Sequence, residues 1–380
     1  MDAATAATIG RFAQATLPKW AKECCPSPHP RPSRISGALC RSRWIGTIAS
    51  TSQKPTGTVC RFTRRPEQWP AASRPRSGER STLPDRILAA RVAHCLGQSL
   101  IRWRSVAGGY SAAARWLVTC ADGSSAFVKS ATDTLTATWL RQEYAVYSQV
   151  QAPFLPTMLA WDDDGEYPCL VLEDLSGAVW QAPWTTARVT QVLNTLQQVA
   201  ATPPPAALAS LETRRPVLSG WADVASDPTA FLGLHLCPPA WLTHAMDTLV
   251  SVEARAQLAG EELVHFDVRS DNLCFVADRV VLVDWNWACR GNGLVDIAAW
   301  LPSLHLEGGP LPETVLPDEP ALAAAISGYF AARAGRPARN AQEVRIRALQ
   351  LAQLCVALPW AVRALGLPPL DRAAPPVPGG

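Results

Sequence analysis

The chain has 380 residues, 48% hydrophobic and 18% charged, enough apolar material for a large core spread over two lobes or domains. No run reaches 18 uninterrupted apolar residues, which argues against a membrane-spanning helix. The net charge of +3 is uneven: residues 1–80 hold fourteen Lys/Arg against four acids, a net of +10, which leaves −7 on the rest and argues against nucleic acid as its main partner.

Residues 1–84 are rich in Pro, Ser and Arg and lack sustained periodicity. They read as a disordered basic extension or as the product of a misplaced start codon. Four of the eleven cysteines fall there (Cys24, Cys25, Cys40, Cys60), without a C-x-x-C pair. The other seven stand mostly in apolar contexts, as small buried hydrophobes of a reducing cytoplasm would.

From residue 85 the pattern becomes globular. Leu88, Val92 and Leu96 fit one helical face. Val106 to Thr119 reads as strand, tight turn and strand around Gly108-Gly109-Tyr110-Ser111, and Ala126 to Lys129 as a third strand. A helix is expected over about Leu135–Val150, then a hairpin around Asp162-Asp-Asp-Gly165. Residues 85–174 thus form a small antiparallel, β-rich N-lobe. Residues 175–370 read as a helical C-lobe, with helices over about 185–201, 239–258, 293–301, 320–334 and 341–365. The fold class is α+β.

The chemistry concentrates in His265-Phe-Asp267-Val-Arg269-Ser-Asp271-Asn272, followed by the apolar strand Val281-Leu-Val and Asp284. One loop carboxylate can orient an attacking hydroxyl, while an amide and a second carboxylate are hard-oxygen ligands for Mg²⁺. Asp267 is therefore the candidate general base, and Asn272 and Asp284 the candidate metal ligands. His265 reads as support beneath the loop. Lys129 is the only lysine after residue 54, so a lysine ending a strand needs a reason other than solvation. Its ammonium can reach nucleotide phosphates, with Glu143 fixing its stem. Gly108, Gly109 and Ser111 can lie over the phosphates, and backbone groups near Glu173 and Leu175 can meet the adenine edge.

At these residues the chain resembles the aminoglycoside phosphotransferase-like kinases over roughly residues 86–365. The matching motifs are His265-x-Asp267-x-x-x-x-Asn272, Val283-Asp284-Trp285 and Gly291-Asn-Gly293-x-x-Asp296. The resemblance implies a bilobal protein-kinase-like fold, ATP, Mg²⁺ and transfer to a hydroxyl of a small molecule. Phe266 and Asp271 depart from the pattern, standing where the family more often has Gly. Asp271 is expected to clamp Arg269. Only eleven residues separate Asp284 from Asp296, too few for the activation segment of a protein kinase.

The acceptor is not legible. Asp162-Asp163-Asp164 and the stretch Glu307, Glu313, Asp318, Glu319 are candidate faces for a polycation. Trp180, Trp184, Trp221 and Trp241 could line a pocket for a macrolide-like compound. An amino alcohol or a sugar is a further acceptor, and a catalytically inactive nucleotide-binding module is the reading from another class.

Overall fold

The structure, a computed structural model, describes residues 84–106, 111–180 and 183–370. The extension expected over residues 1–84 lies, apart from Pro84, outside the described residues.

Helix α1 (Arg86–Leu96) starts at Asp85, whose side chain accepts the Leu88 N–H at 2.7 Å, and ends at Gly97 with φ +63°. Five strands follow: β1 (Leu100–Ser105), β2 (Ala114–Cys120), β3 (Ser125–Ser130), β4 (Met158–Asp162) and β5 (Cys169–Glu173). They make one antiparallel sheet in the order β1-β2-β3-β5-β4. Side chains alternate between its faces. Val171 packs with Trp116, Val118, Val128, Leu88 and Val92 in a small core under α1, whereas Leu170 and Leu172 join the main core.

Between β3 and β4 runs α2 (Thr134–Tyr147), opened by a capping box in which Asp133 and Thr136 satisfy each other's backbone N–H groups. The Asp162–Asp164 turn is clasped from two helices. Arg91 of α1 pairs with Asp162 and Asp164, and Arg141 of α2 pairs with Asp163 at 2.8 Å.

The rest of the chain is mostly helical. It comprises α3 (Thr186–Ala201), the short α4 (Arg215–Leu218), α5 (Gly220–Ser226) and α6 (Thr229–Leu232), α7 (Pro239–Glu253), α8 (Leu294–Leu306), α9 (Pro312–Val315), α10 (Pro320–Ala334) and α11 (Ala341–Ala364). Two small sheets lie among them. In one, β6 (Val179–Trp180) pairs with β8 (Leu273–Val276), and β8 with β9 (Arg279–Leu282); in the other, β7 (Glu262–Val264) pairs with β10 (Cys289–Gly291).

Helix α10 is apolar on all sides and buried nearly throughout, so it forms the axis of this part. It meets α5 at glycine: a Cβ on Gly220 would fall 1.9 Å from the Gly328 carbonyl oxygen, so only glycine permits the approach. Trp221 then donates from Nε1 to Ser327 Oγ at 3.0 Å, and Trp241 to the Pro368 carbonyl at 2.8 Å. Both tryptophans are core and line no acceptor pocket.

The observed architecture is thus α+β as expected, an antiparallel five-stranded sheet with two helices followed by a mostly helical part. Three helix ends and one strand differ from expectation: α2 stops at Tyr147, capped by Ser148, rather than at Val150, and the strand expected from Val106 is β1, which ends at Ser105. Helix α7 stops at Glu253, because the Arg215 guanidinium takes the carbonyls of Ala254 and Ala256. Helix α8 continues past Leu301 through Pro302 to Leu306, held by burial of Leu301 and Leu304. The seven described cysteines form no disulfide with one another, and burial raises the Cys169, Cys274 and Cys289 thiols to about 12, so they stay protonated.

Candidate active site

The loop after β7 is fixed from below. His265 is fully buried, with its ring 4.5 Å from that of Trp285. Its Nδ1 accepts the Asp267 N–H at 3.2 Å, so its Nε2 carries the proton donated to the Val283 carbonyl at 3.0 Å. Burial lowers its pKa to about 4, which keeps the ring neutral and in a supporting place. The carboxylate of Asp296, in the first turn of α8, accepts the N–H groups of His265 and Phe266, each at 2.7 Å. Phe266 sits at φ +64°, the left-handed region that glycine enters freely and a bulky residue does not. Asp296 stabilises that strained turn.

Within the loop, Asn272 Nδ2 donates to both the carbonyl and Oδ2 of Asp267 at 2.9 Å. Asp267 Oδ1 faces Arg269 Nε at 3.5 Å, and Arg269 also pairs with Asp271 at 3.1 Å. The expected clamp is therefore present and includes Asp267. Burial pushes the Asp267 carboxyl up to about 6, against the pull of Arg269. The Val283 N–H donates to the Asn272 carbonyl at 2.9 Å, which ties the loop to the residue before Asp284.

Asp284 follows β9 at φ +69°. Lys129 reaches it from the five-stranded sheet: Nζ lies 2.6 Å from Asp284 Oδ1 and 2.6 Å from Glu143 Oε2 on α2. Burial opposes charge on Lys129, yet the two carboxylates outweigh it and raise the lysine pKa. Burial likewise opposes charge on Asp284, but Lys129 keeps its carboxyl below the ordinary value. Burial dominates for Glu143, whose carboxyl is raised. Tyr147 OH lies 3.4 Å from Glu143 Oε1. Two carboxylates from separate parts of the chain converge on one ammonium.

The remaining expected residues are placed less completely. Gly108 and Gly109 lie outside the described residues. Ser111 Oγ accepts from Arg115 Nη2 at 2.6 Å, and the Arg115 charge bears on Glu143 and Asp284. The Glu173 side chain turns away to Arg279 at 2.8 Å, and its N–H is taken by the Thr157 carbonyl. The Leu175 carbonyl accepts from Ala178 N and Trp180 Nε1, both at 3.0 Å, while its N–H makes no hydrogen bond among the described residues. Three contributors escaped sequence reading. Asp296 was seen only as part of a helix start, Arg115 was one arginine among many, and Arg214 packs on Phe266 and Trp287 from a 3₁₀ turn with no local pattern.

Among the described residues no group of three His, Cys, Asp or Glu could hold a metal by itself. One amide oxygen and one carboxylate, at Asn272 and Asp284, fit a cation that keeps water and takes phosphate oxygens as its other ligands, which is Mg²⁺ behaviour. The donor set suits neither zinc nor copper.

The sequence model described as the phosphotransferase enzyme family matches residues 102–353. Solved structures with a similar course include an amicoumacin kinase in complex with AMP-PNP and Ca²⁺, at 15% identity and TM-score 0.44, covering 72% of this chain and 93% of that one. A choline/ethanolamine kinase family protein from Mesorhizobium loti matches at 13% identity and TM-score 0.46, covering 70% and 92%. A macrolide 2′-phosphotransferase from Brachybacterium faecium matches at 15% identity and TM-score 0.42, covering 74% and 89%. No curated protein matches the chain.

Proposed function

The chain belongs to the phosphotransferase enzyme family, and from that premise we propose that it moves the γ-phosphoryl group of ATP, with Mg²⁺, to a hydroxyl of a small molecule. The observation that carries the reading is Lys129 held at 2.6 Å by both Glu143 and Asp284. Such an arrangement presents a fixed ammonium beside a carboxylate at the foot of the sheet, where the charge of a triphosphate must be met.

In this reading Asp267 accepts the proton of the acceptor hydroxyl as its oxygen attacks the γ-phosphorus. The bond from phosphorus to the β-bridging oxygen breaks, and ADP departs with the electron pair. Asn272 keeps Asp267 oriented through its amide N–H groups and has its oxygen left for the metal. Asp284 is the second metal ligand. When bound, Mg²⁺ would offset phosphate charge as the bond to ADP breaks. Lys129 meets the α- and β-phosphates, Ser111 with the Gly108-Gly109 turn covers them, and the Leu175 N–H, with backbone near Glu173, meets the adenine edge. The cytoplasm is the compartment in which ATP chemistry and cysteines outside disulfides are both at home.

The test is Mg²⁺-dependent ADP release across a panel of hydroxylated compounds, with Asp267→Asn as the reference. That variant should keep its fold and nucleotide binding while turnover falls by about 10²–10⁴. Full activity in Asp267→Asn would remove Asp267 from its role.

A further inference from the structure

Five of the seven candidate carboxylates for a polycationic acceptor, all but Asp318 and Glu319, are occupied from within. Asp162, Asp163 and Asp164 are held by Arg91 and Arg141. Glu313 pairs with Arg363 at 2.7 Å, and Glu307 accepts from Ser270 at 2.6 Å and from Trp184 at 2.8 Å. A carboxylate already paired or doubly hydrogen-bonded would have to break those bonds to bind an ammonium group.

A cavity of about 460 Å³ opens at Ser111, lined in part also by Asp133, Thr136, Trp139, Gln342 and Arg345. Two indirect links run from it toward the candidate transfer site. Ser111 is held by Arg115, whose charge reaches Asp284, and the Trp139 ring lies 6.0 Å from that of Trp287, three residues beyond Asp284. The one acid in the lining, Asp133, turns its carboxylate into the cap of α2, accepting from Thr136 N at 2.7 Å and Thr136 Oγ1 at 2.8 Å.

The cations are not compensated in this way. Arg345, exposed near the start of α11, has no hydrogen bond or ion pair among the described residues. Behind Trp139, the Arg214 guanidinium lies 4.9 Å from the Phe266 ring and 5.2 Å from the Trp287 ring, bonded to the Trp287 carbonyl but to no described carboxylate. Arg345 and Arg214 thus set a positive field around an aromatic wall.

We propose that the acceptor of this phosphotransferase is a hydroxylated compound bearing an anionic group, a carboxylate above all, which stacks a flat face on Trp139 and pairs with Arg345. A polycationic amine does not fit. The proposal rests on the functional reading above and narrows it to an acceptor class. Arg345 selects the acceptor, and the transferred phosphoryl group still goes to a hydroxyl near Asp267.

The experiment uses the full chain and two measurements. Calorimetric titration with Mg-ATP comes first. ADP release is then followed with aryl glucuronides and sugar acids, their neutral glycoside or amide counterparts, and aminoglycosides. Acids should be preferred over their neutral counterparts. Arg345→Glu should lower that preference at least about tenfold, mainly through KM, and Arg345→Lys should restore most of it. Three results overturn the proposal while Mg-ATP still binds: an aminoglycoside is the best acceptor, the preference survives Arg345→Glu, or no acid is turned over. Absence of Mg-ATP binding is a different failure, since it removes the phosphotransfer reading and this one with it.

Discussion

Lys129 shows what a single residue can tell. Its rarity marked it in the sequence, and the Glu143 partner followed from the next helix. That Asp284 also binds it depends on a backbone approach across 155 positions, which no local spacing encodes. Removing one member of a buried ion cluster leaves the others uncompensated. Lys129→Met should therefore cost about 3–5 kcal/mol in urea unfolding besides weakening nucleotide binding. An unchanged midpoint would show that Glu143 and Asp284 carry no net charge in the folded protein. Phe266 makes the complementary point. The sequence exposed it as a departure from glycine, but its left-handed φ and its packing on Arg214 belong to three dimensions.

Elements were legible where periodicity and breakers agreed. Helix α10 runs over the expected residues, bounded by Pro320 at its start and Gly335 at its end. The short helices over residues 215–232 were not, because each is fixed by burial rather than by a repeat. Two helix starts carry buried carboxylates with different consequences. Asp296 at the head of α8 holds the His265–Asn272 loop by two N–H groups, so under the proposed function Asp296→Asn should lower turnover by about one to two orders of magnitude with ATP binding retained. Equal losses of binding and turnover would mean general unfolding instead. Glu253 of α7 accepts the N–H groups of Trp221 and Ala222 at the start of α5, and burial raises its carboxyl to about 7. The folded state then holds a proton that the unfolded chain releases above about 4.5, so this contribution to stability is lost as pH rises through about 7. The Tm should fall across that window, and Glu253→Gln should flatten the slope; parallel profiles would remove Glu253 as the cause.

At the scale of the molecule, the buried residues of both cores, among the described residues, lie between Leu88 and Val362, and the family match lies within nearly the same span. A chain beginning at residue 81 should keep its acceptor kinetics, and its Tm should shift by no more than about 2 °C. A larger drop would show that the preceding segment contributes to the core. The α+β plan could be read from a β-rich stretch followed by a helical one. Acceptor chemistry could not, since whether Asp162–Asp164 attracts a ligand or clasps two helices depends on where Arg91 and Arg141 point.

The scarcity of lysine has one more consequence, for covalent labelling. Beyond Lys54 the only primary amine is Lys129, buried and clasped by two carboxylates. Acylating reagents therefore find no reactive amine on the surface of the described part, and the extent of acylation at Lys129 becomes a direct gauge of how often that clasp opens.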